Sequence, residues 1–152
     1  MPAGRIMKST ALAALAAGAF LFLAAADLAL RSHSALLEAQ KQEKWRETPS
    51  LKTGYYDSVL REKLAGLDRT NEKISPESLS RKKDLLEAER DFRISESSAK
   101  MAYIWYKTAA EDFSFPLNLW AAKAKARLPA ALAAWRAELA AKNIKAEPWM
   151  TQ

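Results

Sequence analysis

The sequence has no cysteine and a single histidine, His33, and these two shortages exclude several kinds of protein. Without cysteine the chain cannot form disulfides, thiolate metal sites, iron–sulfur clusters or covalent haem attachments. With one imidazole it also cannot build a site that needs two histidines. We therefore expect no metal and no cofactor, and we interpret His33 as an exposed residue rather than a haem ligand or pH sensor.

Catalytic motifs are missing as well. Ser95, Ser97 and Ser98 have neither a glycine elbow nor a histidine base, and the sequence has no phosphate-binding glycine loop and no E-x-x-H motif. Acidic residues such as Glu87 and Asp91 stand in stretches of mixed charge, which is typical of a solvated helix face. We predict that the protein is not an enzyme.

Residues that favour strands are scarce. Val59 is the only valine, glycine occurs four times, and alanine is the most frequent residue. Alanine is the best intrinsic helix former, whereas strands are enriched in β-branched side chains. The composition therefore predicts an all-α fold.

The first thirty residues have the pattern of a targeting or membrane segment. Arg5 and Lys8 precede an apolar run over residues 11–26, which resumes at residues 28–30 after one acidic residue. Residues 11–30 match the roughly 20 positions that a helix needs to cross a bilayer. We predict a signal-anchor or transmembrane segment over residues 1–30.

Two other interpretations of this segment stay open. Cleavage after Ala26 would release a mature chain that begins at Asp27, and a mitochondrial presequence would explain why residues 1–26 lack acidic side chains. If the segment is an anchor, its positive flank stays in the cytoplasm. The predicted location is then the inner (cytoplasmic) membrane, with a single pass, a cytoplasmic N-terminus and a periplasmic or otherwise extracytoplasmic C-terminal domain.

A helical stalk and a helical domain are predicted after the apolar segment. Residues 31–47 have a polar helical pattern, which we interpret as a membrane-proximal stalk that ends before Pro49, because proline disfavours helix at the preceding residue. The domain is assigned to residues 51–147 and begins with a weaker helix over residues 51–66.

Two strong start signals follow within the domain. Ser75 and Pro76 are a typical N-cap and first helical residue, and we expect one helix from there to about Asp112. A turn over residues 114–116 precedes Asn118, which starts a final helix that Pro129 should kink or split.

Two apolar stripes predict that these last two helices form an antiparallel hairpin or a small bundle. The first stripe contains Leu85, Ala88, Phe92, Ala99, Ala102, Tyr106, Ala109 and Phe113. The second contains Leu117, Trp120, Ala124, Leu128, Ala131, Trp135 and Leu139. The pairing should bring Trp120 near Tyr106 or Phe113.

One tryptophan should face away from this core. Tyr103 and Trp105 lie about 200° apart on a helix, so Trp105 belongs with Met101 on a second apolar face. That face could dock a partner, pack against residues 51–64 or line a small-molecule pocket, and the sequence leaves these alternatives open.

The functional prediction is a non-enzymatic, membrane-anchored accessory or scaffold subunit that docks onto a larger membrane protein complex through an aromatic-rich helical hairpin. Its predicted partner-binding residues are Met101, Trp105, Trp120 and Trp135. The alternative is an exported helical module that binds an apolar ligand or an anionic lipid surface. The residues predicted to contact lipid or an acidic partner are Lys123, Lys125 and Arg127. We expect no nucleic-acid binding, because the net charge of +6 is not concentrated on one surface.

Overall fold

The computed structural model describes residues 3–69, 75–145 and 147, and these residues contain five α-helices. The helices are α1 Ala3–Glu47, α2 Pro49–Arg69, α3 Pro76–Ser95, α4 Ser98–Lys107 and α5 Leu119–Ala141, with one π-helical turn, Thr108–Asp112, directly after α4. The described residues contain no strand, so the all-α prediction is confirmed.

The predicted helix starts are confirmed by their capping bonds. The Ser75 hydroxyl accepts a hydrogen bond from the Ser78 amide, and Pro76 is the first residue of α3. The Asn118 side chain accepts from the amides of Trp120 and Ala121 at the start of α5. These side-chain oxygens bind amides that have no partner inside their own helix.

The core lies between the C-terminal half of α1, α4, the π turn and α5. Its buried residues are Ala35, Leu36, Ala39, Ala99, Tyr103, Tyr106, Ala109, Ala110, Ala124, Ala131, Trp135 and Leu139. Residues 31–47 therefore form one wall of the core, which differs from the predicted stalk. The many alanines explain the difference, since small side chains let helix backbones approach closely and leave room for three large aromatic rings.

The predicted long helix from Pro76 to Asp112 is wrong, because the chain breaks at residues 96 and 97. The Ser97 hydroxyl accepts from the Lys100 amide and starts α4 as a separate helix. Serine side chains compete with helical bonds in this way. The break also divides the first predicted apolar stripe. Ala99, Ala102, Tyr106 and Ala109, which follow the break, are buried, whereas Leu85 and Phe92, which precede it, are 69% and 61% exposed.

Helices α2 and α3 pair with each other beside the core. They run in opposite directions, because Asp57 pairs with Arg90 and Asp68 pairs with Lys83. Exposed ion pairs of this kind stabilise by only about 0–1 kcal/mol each. The pair joins the core through Trp45 of α1, whose ring lies 5.3 Å from the ring of Tyr55.

The core has two ends, which we name by their distance from the apolar part of α1. At the proximal end the Ser32 hydroxyl donates to the Ala109 carbonyl at 3.0 Å. At the distal end the Ser97 hydroxyl donates to Glu138 at 2.6 Å. Helix α4 thus runs towards the proximal end and α5 runs away from it. Helix α5 continues through Pro129 without a split.

Candidate functional site

Helix α1 consists of two dissimilar halves. From Leu12 to Leu23 its described large apolar side chains are about two-thirds exposed or more, whereas from Ser32 onward it contributes to the core. It is the one helix among the described residues that is long and apolar enough to cross a membrane, by length and composition. We call residues 14–30 the apolar segment.

The turn between the π turn and α5 lies at the proximal end, and we call residues 113–119 the proximal loop. Asn118 is buried, and its side chain bonds to the backbone before and after the loop. Its Nδ2 donates to the Phe113 carbonyl at 2.9 Å, and its Oδ1 caps α5. The backbone N–H of Asn118 also donates to the Phe115 carbonyl at 3.1 Å. These hydrogen bonds fix the conformation of the loop.

Two leucines of this loop point into open space. Leu117 is 94% exposed and Leu119 is 73% exposed, which contradicts the prediction that Leu117 belongs to a buried stripe. Leu117 also has φ = 75°, a left-handed conformation that costs an L-residue roughly 1–2 kcal/mol. An open groove of about 330 Å³ lies beside these side chains, with Lys125 at its edge.

Trp120 stands next to this loop, and its ring contacts the His33 ring at a tilt of 34°. The two ring centroids are 4.2 Å apart, and the Lys123 ammonium lies 4.6 Å from the centroid of the Trp120 ring. Both rings are partly buried, so His33 is not the exposed residue that the sequence suggested. Lys123, Lys125 and Arg127 are all exposed along α5.

A second feature is a cleft where α1, α2 and α4 meet, and we name it after Gln42. Its lining residues are Glu38, Gln42, Lys52, Tyr56, Arg93, Glu96, Met101 and Trp105, around a cavity of about 110 Å³. Gln42 is 5% exposed, and its Nε2 donates to Glu38 at 3.1 Å. Its Oε1 is the one buried side-chain oxygen or nitrogen of the described chain without a hydrogen-bond partner.

Lys52 forms the distal wall of the Gln42 cleft. Its ammonium donates to the Glu96 carbonyl oxygen. Burial lowers the Lys52 pKa, and the nearby carboxylates of Glu96 and Glu138 offset part of that effect. Burial also raises the pKa of the Tyr56 hydroxyl in the same cleft, against an opposing effect of Arg93. A low-dielectric site of this kind increases the cost of any buried polar atom that lacks a partner.

The structure separates the four residues predicted to bind a partner. Met101 and Trp105 line the Gln42 cleft together and are partly exposed. Trp120 lies at the proximal end, and Trp135 lies in the core, where its ring stacks on Tyr103 with centroids 5.4 Å apart. Nothing in the sequence distinguishes Gln42 from an ordinary polar helix residue, and the prediction that Leu117 lies on the buried face of the final helix is wrong.

The described residues include no group of three or more histidine, cysteine, aspartate or glutamate side chains that could hold a metal ion. The gap between α2 and α3 has a volume of about 40 Å³, far below the roughly 300–1,000 Å³ of typical small-molecule sites, whereas the open groove beside the proximal loop, at about 330 Å³, is at the lower end of that range.

Comparisons with known proteins do not place the chain in a family. No family model matches it, and neither a curated protein nor a solved structure matches it. The geometry described above is therefore the basis for any statement about function.

Proposed function

We propose that this protein is a membrane-anchored, non-enzymatic docking subunit, held by the apolar segment of α1 and bound to a partner protein at the Gln42 cleft. The observation that carries the proposal is the two-part α1, in which an exposed apolar half continues without a break into the core. Met101 and Trp105 are the residues that contact the partner.

The anchor is supported by the cost of leaving the apolar segment in water. Phe20, Leu21 and Phe22 are each about two-thirds exposed or more, and exposed neighbours of this size are unusual on a soluble protein. A bilayer removes this surface from water at roughly 25 cal/mol per Å². In the proposed topology Arg5 and Lys8 stay in the cytoplasm, so the helical core lies on the opposite side of the membrane.

Because α1 is one continuous helix, the anchor is rigidly joined to the core. The helix runs from Ala3 to Glu47, so the apolar segment and one wall of the core belong to the same rigid element. At about 1.5 Å per residue, the core begins about 3 Å beyond Leu30, at Ser32. The protein therefore holds its partner close to the membrane rather than at the end of a flexible linker.

The Gln42 cleft is favoured as the docking site because it combines apolar surface with an unpaired acceptor. A buried acceptor without a partner destabilises the free chain by about 1–3 kcal/mol, unless water occupies the cavity. A partner segment with an N–H group against Gln42 Oε1 supplies the missing hydrogen bond. An apolar side chain of the same segment, placed between Met101 and Trp105, covers the apolar surface. Tryptophan is also among the residues most often found at the centre of interfaces.

Membrane extraction tests the anchor. Leu21→Asp and Phe22→Asp together add two charges to the apolar segment, each at a cost of about 2.5–3.5 kcal/mol in a bilayer. After an alkaline wash the native chain should remain with the membrane and this variant should not, while the exposed control Ser50→Asp behaves as native. Intact mass of the membrane-bound protein distinguishes anchoring from cleavage, because a chain that begins at Asp27 contradicts the anchor.

Two variants of the full chain test the docking site. Trp105→Ala should remove a stoichiometric partner from the protein purified in mild detergent, with unchanged helix content. Gln42→Met should also weaken the association while the free chain becomes equally or more stable, because the unpaired acceptor is gone. Lys100→Ala, at an exposed position of α4, serves as the control. A monodisperse monomer, or two variants that keep the partner at native stoichiometry, would refute this site.

A further inference from the structure

The proximal loop is an exposed apolar feature that neither the proposed docking site nor the anchor uses. Its exposed side chains belong to Leu117 and Leu119, and residues 113–119 carry no charge. We propose that this loop is a second membrane contact, inserted into the interfacial layer of the same bilayer that α1 crosses. This inference rests on the proposed anchor and adds that the core lies against the membrane in one orientation.

The position of the loop along α1 supports contact with the membrane. Ala109 lies level with Ser32, because the two are hydrogen-bonded at 3.0 Å. The chain continues towards the apolar segment through the remaining three residues of the π turn, so Asp112 lies a few ångström beyond Ala109. The loop therefore begins close to the C-terminal end of the apolar segment. Ala25, Ala26, Leu28 and Ala29 are also the first side chains along the described part of α1 to be partly covered.

The shape of the loop supports it as well. Asn118 fastens the turn through bonds on both sides, so the exposed leucines are presented by a rigid support. Leu117 keeps φ = 75° although glycine and asparagine adopt that conformation more easily. A strained leucine that is 94% exposed gains nothing inside the described chain. Backbone strain of this kind is found at sites with a function beyond folding.

The charges around the loop indicate which part of the bilayer it meets. Glu111 and Asp112 precede the loop, and Lys123 and Lys125 follow it on α5, so acidic and basic groups balance. Attraction to anionic headgroups therefore does not drive the contact. The contact is driven by burial of apolar side chains at the boundary between the headgroups and the acyl chains. Trp120, whose ring contacts both His33 and Lys123, lies where tryptophan is enriched in membrane proteins.

The absence of native cysteine permits a direct test with single spin labels. The full chain is reconstituted in phosphatidylcholine vesicles with a nitroxide at Leu117→Cys, at Leu21→Cys in the apolar segment, or at Lys100→Cys at the distal end. Accessibility to oxygen and to a water-soluble nickel chelate is measured at each site. We expect the oxygen-to-nickel ratio at 117 to shift towards the value at 21 and away from the value at 100.

The outcomes separate this inference from the proposed anchor. If 21 shows the membrane pattern and 117 matches the aqueous pattern of 100, the anchor holds and the loop contact is wrong. Low accessibility of 117 to both reagents means that a protein surface covers the loop, which also overturns the inference. An aqueous pattern at 21 overturns the anchor and the loop contact together. An increase of the ratio at 117 only when anionic lipid is added would refute the apolar mode of contact.

Discussion

Removing the hydroxyl of Tyr106 tests the link between α1 and α4. Tyr106 is fully buried, and its hydroxyl donates to Glu43 of α1 at 2.7 Å. Tyr106→Phe keeps the ring in the core but leaves the Glu43 carboxylate without this donor. A hydrogen bond to a charged group stabilises by about 1.5–3 kcal/mol. Since Glu43 is only partly buried and water can replace part of the bond, we expect a loss of about 1.5 kcal/mol.

The same contact predicts how this loss changes with pH. Burial, together with the bond to Glu43, raises the Tyr106 pKa well above its usual value. A tyrosine with a raised pKa stabilises the fold fully below the unfolded pKa of about 10 and less at higher pH, because the unfolded chain then releases the proton. The difference in unfolding free energy between the native chain and Tyr106→Phe should therefore shrink above about pH 10.

Chemical denaturation of the full chain in mild detergent, followed by circular dichroism, measures both effects. Tyr103→Phe is the matched control, because the Tyr103 ring is also buried, stacked on Trp135, and its hydroxyl makes no hydrogen bond to α1 among the described residues. The control should change the unfolding free energy by much less. Equal losses for the two variants, or a difference that does not depend on alkaline pH, would show that the contact between Tyr106 and Glu43 does not stabilise the fold.

Three further substitutions follow from the same structure. Leu117→Gly should stabilise the isolated chain by about 1 kcal/mol because it removes the Cβ that causes the left-handed strain, whereas Leu117→Ala keeps a Cβ and should not. Equal denaturation midpoints for the two variants would contradict the strain. Trp135→Ala should lower the free energy of unfolding by about 3–5 kcal/mol because it leaves a cavity in the core, and Trp105→Ala should lower it much less because Trp105 is partly exposed. Thermal unfolding compares the two variants. A larger loss for Trp105→Ala would contradict the described core. Glu138→Gln should destabilise by about 1 kcal/mol at pH 7 and by progressively less as the pH falls below the unfolded carboxyl pKa of about 4.3. Burial alone raises the Glu138 pKa, but the hydrogen bonds from Lys142 and Ser97 outweigh it and lower the pKa, so the stabilisation is complete above the unfolded pKa and is lost as the folded carboxylate takes up a proton. A destabilisation that does not decrease as the pH falls below about 4 would contradict the role of this charge.

Local chemistry was sufficient to predict the helical fold and most helix boundaries. The caps at Ser75 and Asn118 and the break before Pro49 depend on side chains within a few residues of the bond they make. The apolar segment is equally local, because its character is the sum of consecutive side chains. These features could be predicted because no distant residue is needed to produce them.

Rotation and packing could not be predicted in the same way. A break of two residues at Glu96 and Ser97 turned Leu85 and Phe92 away from the core, although their spacing fits one continuous helix. A stripe shows that residues share a face, but it does not show what that face meets. Residues 31–47 were assigned to a stalk for the same reason, since their alanines indicate nothing about α4 and α5.

The sequence by itself determined the helical class, the apolar segment and the main capping sites, because propensity, hydropathy and capping act over a few neighbouring residues. Only the tertiary structure decided that α1 joins the core, that Gln42 keeps an unpaired oxygen in the cleft that Trp105 lines, and that Leu117 is exposed. Each of these depends on contacts between residues tens of positions apart, and such contacts are set by the packing of whole helices.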